Sequence, residues 1–248
     1  MGRVAGKVCI VTGAGSGLGA ADARRLAEEG AQVVLTDVNA AAVQAVAAGI
    51  PGAVALAHDV TDEARWAEVV AETLSRFGRL DVLVNNAGLV KFASVEACSL
   101  VDFRLHNAVM NEGTFLGCKH AIPAMAQGGG GSIVNMASVA ATKGVSTIVA
   151  YSAAKGAIVA MSRSIAVHCQ EQGYGIRCNV LVPGAHDTPM TAAALALLPP
   201  ESAGLGQIQG HGQGRPEDVA NLVLFLASDE SRQITGTQIV IDNGETMA

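Results

Sequence analysis

Aromatic side chains make up only 3% of this chain, which leaves little material for an aromatic binding surface. Alanine, valine, leucine and glycine dominate instead, a composition suited to helices packed closely on a sheet. There is no basic block, and the formal net charge is −6, which argues against nucleic acid and anionic membrane as partners. Cys9, Cys98, Cys118, Cys169 and Cys178 form neither a C-x-x-C pair nor a zinc-binding spacing. Their odd number, with no apolar leader at the start, fits reduced, buried thiols and a cytoplasmic protein. No stretch of about 18 residues is uniformly apolar, so no membrane span is expected. What remains is a protein that acts on a small soluble molecule, with no metal site.

Half of the 248 residues are hydrophobic, enough for the core of one large α/β domain spanning 1–248. No linker, internal repeat or low-complexity tail divides it. Apolar strand-like runs at 8–11, 32–36, 53–57, 80–84, up to 138, 176–182 and 238–241 alternate with segments of helical spacing. That alternation predicts a seven-stranded parallel sheet with helices on both faces, a doubly wound Rossmann-type architecture. A long helix is expected over 102–127, interrupted near Gly113 and Pro123. Residues 189–214 are the least regular part, with the pattern of a mobile lid over a site or of a surface insertion.

The first strand runs directly into Thr12-Gly13-Ala14-Gly15-Ser16-Gly17-Leu18-Gly19, followed by a helix. Gly13 permits a tight turn, Gly17 lets the backbone approach a pyrophosphate, and Gly19 lets the helix lie close to the strand. An ordinary strand-to-helix turn looks similar. Asp37, about 20 residues on at the end of the second strand, adds weight, because an acid there can bind both hydroxyls of an adenosine ribose. The carboxylate would repel a 2′-phosphate, and no arginine or lysine stands beside it, so NAD is favoured over NADP. Asp37 could also cap the helix over 40–48. Further along, Asp59 and Val60 end the third strand, where Asp59 could bond an adenine amino group. Asn85-Asn86-Ala87-Gly88 ends the fourth and reads either as a cofactor-placing turn or as a plain one.

Reaction chemistry is concentrated between residues 133 and 155. A strand ends at Ser138, a loop follows, and Tyr151 and Lys155 stand four apart on one helical face. A free phenol has a pKa of about 10, and a lysine ammonium one turn away favours its phenolate. Ser138 could then hydrogen-bond an alcohol or ketone oxygen while Tyr151 exchanges the proton. Tyr-x-x-x-Lys on its own also describes a surface tyrosine beside a lysine.

Taken in order, Thr12-Gly-x-x-x-Gly-x-Gly19, Asn85-Asn-Ala-Gly88, Ser138, Tyr151-x-x-x-Lys155 and Pro183-Gly184 resemble the short-chain dehydrogenase/reductase family over essentially the full length. So do Arg215-Pro-Glu-Asp-Val219, Thr235-Gly236 and Asp242-Asn243-Gly244. The resemblance implies Tyr151 as acid/base, Lys155 as its tuner and a nicotinamide-ribose ligand, Ser138 as the donor to substrate oxygen, and Thr188 as the carboxamide contact. It also implies a homotetramer or homodimer built on the two long helices. Two positions depart from the family. Met110 stands where an asparagine of the proton relay is usual, with Asn111 next to it, and His186 replaces an aliphatic residue. His186 could touch substrate or nicotinamide, or could be a loop side chain in water.

The function expected is an NAD-dependent interconversion of a secondary alcohol and a ketone. Ala140, Val145, Ala185, Met190 and the 192–198 stretch suggest a neutral, cyclic or steroid-like substrate. Two alternatives remain: an NADPH-dependent ketoreductase of the 3-oxoacyl carrier-protein type, and a non-catalytic dinucleotide-binding regulatory protein, for which Met110 is the motive.

Overall fold

A computed structural model of the chain describes residues 2–196 and 212–247. Seven parallel strands form one sheet: β1 (Val8–Thr12), β2 (Gln32–Asp37), β3 (Val54–Ala57), β4 (Val82–Asn85), β5 (Gly131–Met136), β6 (Ile176–Pro183) and β7 (Gln238–Ile241). Their spatial order is β3-β2-β1-β4-β5-β6-β7, so the winding reverses between β1 and β4. At such a reversal the loops leaving the two strands diverge, and a crevice opens beyond their carboxyl ends.

Side-chain alternation along the strands divides the core in two. Cys9 and Val11 of β1 and Val82 and Val84 of β4 face one way, onto α1 (Gly17–Glu28), α2 (Ala40–Ala48) and α8 (Pro216–Ala227). Ile10 and Leu83 face the other, onto α3 (Glu63–Phe77), α5 (Gly113–Gln127) and α6 (Val149–Glu171). Trp66 of α3 is fully buried there, its indole N–H donating to the Val60 carbonyl at 2.9 Å. Cys9, Cys118, Cys169 and Cys178 are buried free thiols, as expected, while Cys98 is partly exposed. No helix among the described residues is long and apolar enough to cross a membrane.

The sheet is as expected; the differences are local. The long helix begins earlier, as α4 (Leu100–His106), and widens into a π-helical turn over Asn107–Glu112 before α5. Pro123 does not interrupt α5, which continues to Gln127. Its side is exposed, where water can take the carbonyl that the missing N–H leaves unpaired. Asp37 does not cap α2; the Asn39 side chain does, accepting from the Ala42 N–H at 3.1 Å. Pro189–Leu195 forms a short helix, α7, capped by Thr188. The rest of the expected lid, 197–211, lies outside the described residues.

Candidate active site

The crevice at the β1/β4 reversal is a cleft of about 320 Å³. Gly13, Ser16, Gly17 and Leu18 line its floor, with Asp37 at one side. Ser138, Tyr151, Lys155, Pro183, Gly184 and Thr188 stand elsewhere along its wall, with Asn86 and Gly88 between. Residues up to 178 positions apart in sequence therefore meet because their strands end at one edge of the sheet (Gly13 to Thr191).

The loop after β1 has the form a phosphate-bearing ligand needs. Gly13 has φ +63°, and a Cβ there would come within 2.8 Å of the Ala87 Cα. Gly17 has φ +53° and leaves bare backbone opposite Thr188. Ser16, at the N-cap of α1, makes no side-chain cap, so the positive helix end is left to whatever enters the cleft. The turn after β4 holds this loop in place. Asn86 donates from its side chain to the Thr12 and Gly13 carbonyls at 3.0 and 3.2 Å, and the Asn86 and Ala87 N–H groups both donate to Thr12 Oγ1 at 3.0 Å. Asp37 is fixed by the Gly15 N–H at 2.9 Å on one oxygen and the Asn39 N–H at 2.9 Å on the other. The floor, the open helix end and the acid fit a nicotinamide dinucleotide.

Not every expected contact lines the cleft. Gly19 lies beneath it, where a Cβ would meet Asn86 Nδ2 at 2.5 Å, so its role is close packing of α1. Asp59 is exposed and accepts from the Thr61 N–H and hydroxyl at 2.9 and 2.8 Å. Val60 is in the core, and Ala87 serves through its backbone.

At the reacting end, Lys155 is almost wholly buried and donates to the Met136 carbonyl at 2.6 Å. Its ammonium is 5.6 Å from the centre of the Tyr151 ring. Burial drives the Lys155 pKa down to about 7. Burial pushes the Tyr151 phenol up, and the Ser138 hydroxyl beside it draws it partly back. Desolvation is the larger influence on the phenol, ahead of the Ser138 hydrogen bond. Ser138 accepts from the Ala140 N–H at 3.2 Å through its Oγ, which orients the hydroxyl at the start of a 3₁₀ turn.

Met110 is fully buried. A Cβ placed on Gly88 would lie 3.4 Å from its sulfur and 3.7 Å from Lys155 Nζ, so both side chains pack towards the Gly88 backbone. The π-helical turn leaves Asn111 half-exposed, with no side-chain hydrogen bond among the described residues. His186 is buried rather than in water: its Nδ1–H donates to the Gly184 carbonyl at 3.0 Å, and its ring packs on Gly214. Sequence reasoning missed the Met136 carbonyl, which no side-chain pattern marks, and Thr191, whose hydroxyl lies 3.0 Å from that of Thr188.

Residues 13–246 match the family model described as enoyl-(acyl carrier protein) reductase. The chain is 41% identical over 245 residues to the 3-beta-hydroxysteroid dehydrogenase of Comamonas testosteroni, covering 97% of this chain and 96% of that one. It is 40% identical to the trans-4-hydroxycyclohexanecarboxylate dehydrogenase of Sinomonas cyclohexanicum, covering 98% and 94%. The crystal structure of levodione reductase superposes with a TM-score of 0.93 at 36% identity, covering 99% and 100%. Fold, site and likeness thus define an oxidoreductase that uses a nicotinamide dinucleotide. The chain belongs to the short-chain dehydrogenase/reductase family.

Proposed function

We propose that this protein is an NAD-dependent dehydrogenase that interconverts a cyclic secondary alcohol and its ketone. The observation that carries the reading is a single cleft with Asp37 and bare glycine backbone in one part and Ser138, Tyr151 and Lys155 in another. Tyr151 is the acid/base that takes the carbinol proton, Ser138 hydrogen-bonds the substrate oxygen, and Lys155 holds a ribose hydroxyl and biases the phenol. An oxidised dinucleotide held there would supply the hydride acceptor and positive charge beside the phenol. Gly13, Ser16, Gly17 and Leu18 would hold its pyrophosphate, and Thr188 with Pro183 and Gly184 its carboxamide end. Expected contacts at Asp59 and Val60 belong to its adenine end.

Asp37 supports NAD over NADP. Its carboxylate faces the cleft, and Lys155 is the only lysine or arginine lining that cleft among the described residues. A 2′-phosphate beside Asp37 would meet like charge without a cation. The ring-alcohol dehydrogenases among the relatives support a cyclic substrate. Assembly through the α4–α5 and α6 faces accompanies this reading.

Tyr151→Phe tests the acid/base role. It should lower kcat by about a thousandfold or more, within the range of general acid–base catalysis, while dinucleotide affinity stays near that of the parent. Equal turnover in the two proteins would refute it. Replacing Asp37 by Ser should raise kcat/KM with NADP relative to NAD; an unchanged ratio would remove the basis for NAD.

A further inference from the structure

After β7 the chain makes a tight turn that reaches back towards the cleft. Asn243 and Gly244, left-handed at φ +52° and +82°, fold the backbone over Asp242. The Asp242 carboxylate accepts from the Gly244 N–H at 2.9 Å and from the Thr246 N–H and hydroxyl at 2.8 and 2.6 Å. Glu245 stands inside this tied turn. It does not line the cleft, yet it touches two segments that do.

The first segment is the Pro183–Gly184 turn. A Cβ on Gly184 would come within 2.7 Å of Glu245 Oε2 and 2.9 Å of the Asp242 Cα, so the two turns pack backbone against backbone. The same Glu245 oxygen accepts from the Ala185 N–H at 3.2 Å. The second segment is the loop that starts at Ser138. Glu245 Oε1 stands 3.6 Å from the Lys143 ammonium, and the Lys143 N–H donates to the Val139 carbonyl at 2.7 Å. The Ala141 N–H in turn donates to the Ser138 carbonyl at 2.9 Å. Between these segments the β5–β6 ladder stops at Ala137, whose N–H donates to the Leu181 carbonyl at 2.8 Å. Beyond that point no hydrogen bond among the described residues joins the Ser138 loop to the Gly184 turn directly; Glu245 spans them.

We infer that Glu245 is a positioning residue that braces the Gly184 turn against the Ser138 loop, setting the separation at which the nicotinamide end of the cofactor and the substrate oxygen meet. This rests on the alcohol–ketone reading above and adds a residue to it. The pyrophosphate floor at Gly13–Leu18 belongs to a different strand end, so the brace governs alignment rather than cofactor affinity. The pair with Lys143 is long and partly exposed and contributes little to stability. Its leverage is on rate, because a misplacement of about 1 Å at reacting atoms can cost about a hundredfold.

The test uses the full chain and three readouts: single-turnover hydride transfer from the best ring alcohol of a panel to NAD, the affinity for NADH, and the fluorescence lifetime of bound NADH. In Glu245→Ala, transfer should slow about tenfold and the lifetime shorten as the nicotinamide loosens, while NADH affinity stays within about twofold. Glu245→Gln and Lys143→Gln each remove the ion pair but leave an oxygen for the Ala185 N–H. Each should slow transfer by about threefold, and the double variant should be no slower than either, because both remove one interaction. These mild changes keep the test intact if Glu245→Ala does not fold. Unchanged transfer and lifetime with a lower Tm would make Glu245 a stabilising residue only and overturn the inference. So would a loss of NADH affinity as large as the loss of rate, or effects that multiply in the double variant. If the parent turns over no alcohol while Glu245→Ala still shortens the NADH lifetime, the dehydrogenase reading fails and the brace on the nicotinamide end stands.

Discussion

Lys155 and Tyr151 share a cleft, yet burial drives their protonation equilibria in opposite directions, the ammonium down to about 7 and the phenol above its ordinary value. Both shifts favour neutral groups. Near pH 7 Lys155 is therefore divided between its charged and neutral forms, while Tyr151 is a neutral phenol. Ultraviolet titration can test this, because the chain has only two tyrosines. The difference between the parent and Tyr151→Phe should show no phenolate absorbance below about pH 10, the value for a free phenol. A component titrating near neutrality would contradict it.

Two other buried residues bear on stability. Asp22 on α1 is wholly buried, neither carboxyl oxygen has a hydrogen-bond partner, and burial holds its pKa well above the usual carboxylate range. The folded state keeps this proton after the unfolded chain has lost it, so stability falls as pH rises from about 4 towards the folded pKa. Asp22→Ala should raise Tm at neutral pH, by the equivalent of about 1 kcal/mol or more, with a smaller gain at pH 4. An equal or negative change at neutral pH would count against it. His58 acts in the opposite sense. It is buried edge-on to Trp66, Thr36 Oγ1 lies 3.1 Å from its Nδ1, and burial lowers its pKa to about 4. The unfolded chain takes up a proton near pH 6.5 that the folded chain resists, so stability is lost as pH falls from there towards 4. His58→Gln should flatten the acid limb of a Tm-versus-pH curve; an unchanged limb would show that other groups set it.

Among the elements, the β1–α1 turn depends most on backbone shape. Thr12 receives two N–H groups from the β4 turn, and Gly13 passes so near Ala87 that a side chain has no space. Gly13→Ala adds a left-handed residue and a clash with backbone, so it should lose dinucleotide binding and several degrees of Tm. Near-parental affinity measured by NADH fluorescence would refute that account. This turn was legible from sequence because glycine spacing records a backbone requirement. The π-helical turn at Asn107–Glu112 was foreshadowed only by a break expected near Gly113, since apolar periodicity says little about a one-residue change in hydrogen-bond register. Asp37 and Asn39 illustrate the same limit: either could cap α2 by position, and Asp37 is withdrawn by the Gly15 N–H, 22 residues away.

At the scale of the whole molecule, the seven strands, their parallel order and the gathering of Gly13, Asp37, Ser138, Tyr151, Lys155 and Thr188 at one sheet edge follow from a repeating sequence pattern. What the pattern did not reveal are contacts between distant loops: Lys143 with Glu245, the burial of His186 against Gly214, and the Met136 carbonyl on Lys155. Each depends on where a loop returns, which local propensity does not encode. The gathered cleft is what makes the protein a dehydrogenase in this account. Its most direct test is formation of reduced nicotinamide from NAD and from NADP across a panel of cyclic secondary alcohols, with Tyr151→Phe as the blank. The account predicts turnover with NAD that disappears in Tyr151→Phe; turnover that survives the substitution, or none with any alcohol or ketone despite NADH binding, would contradict it.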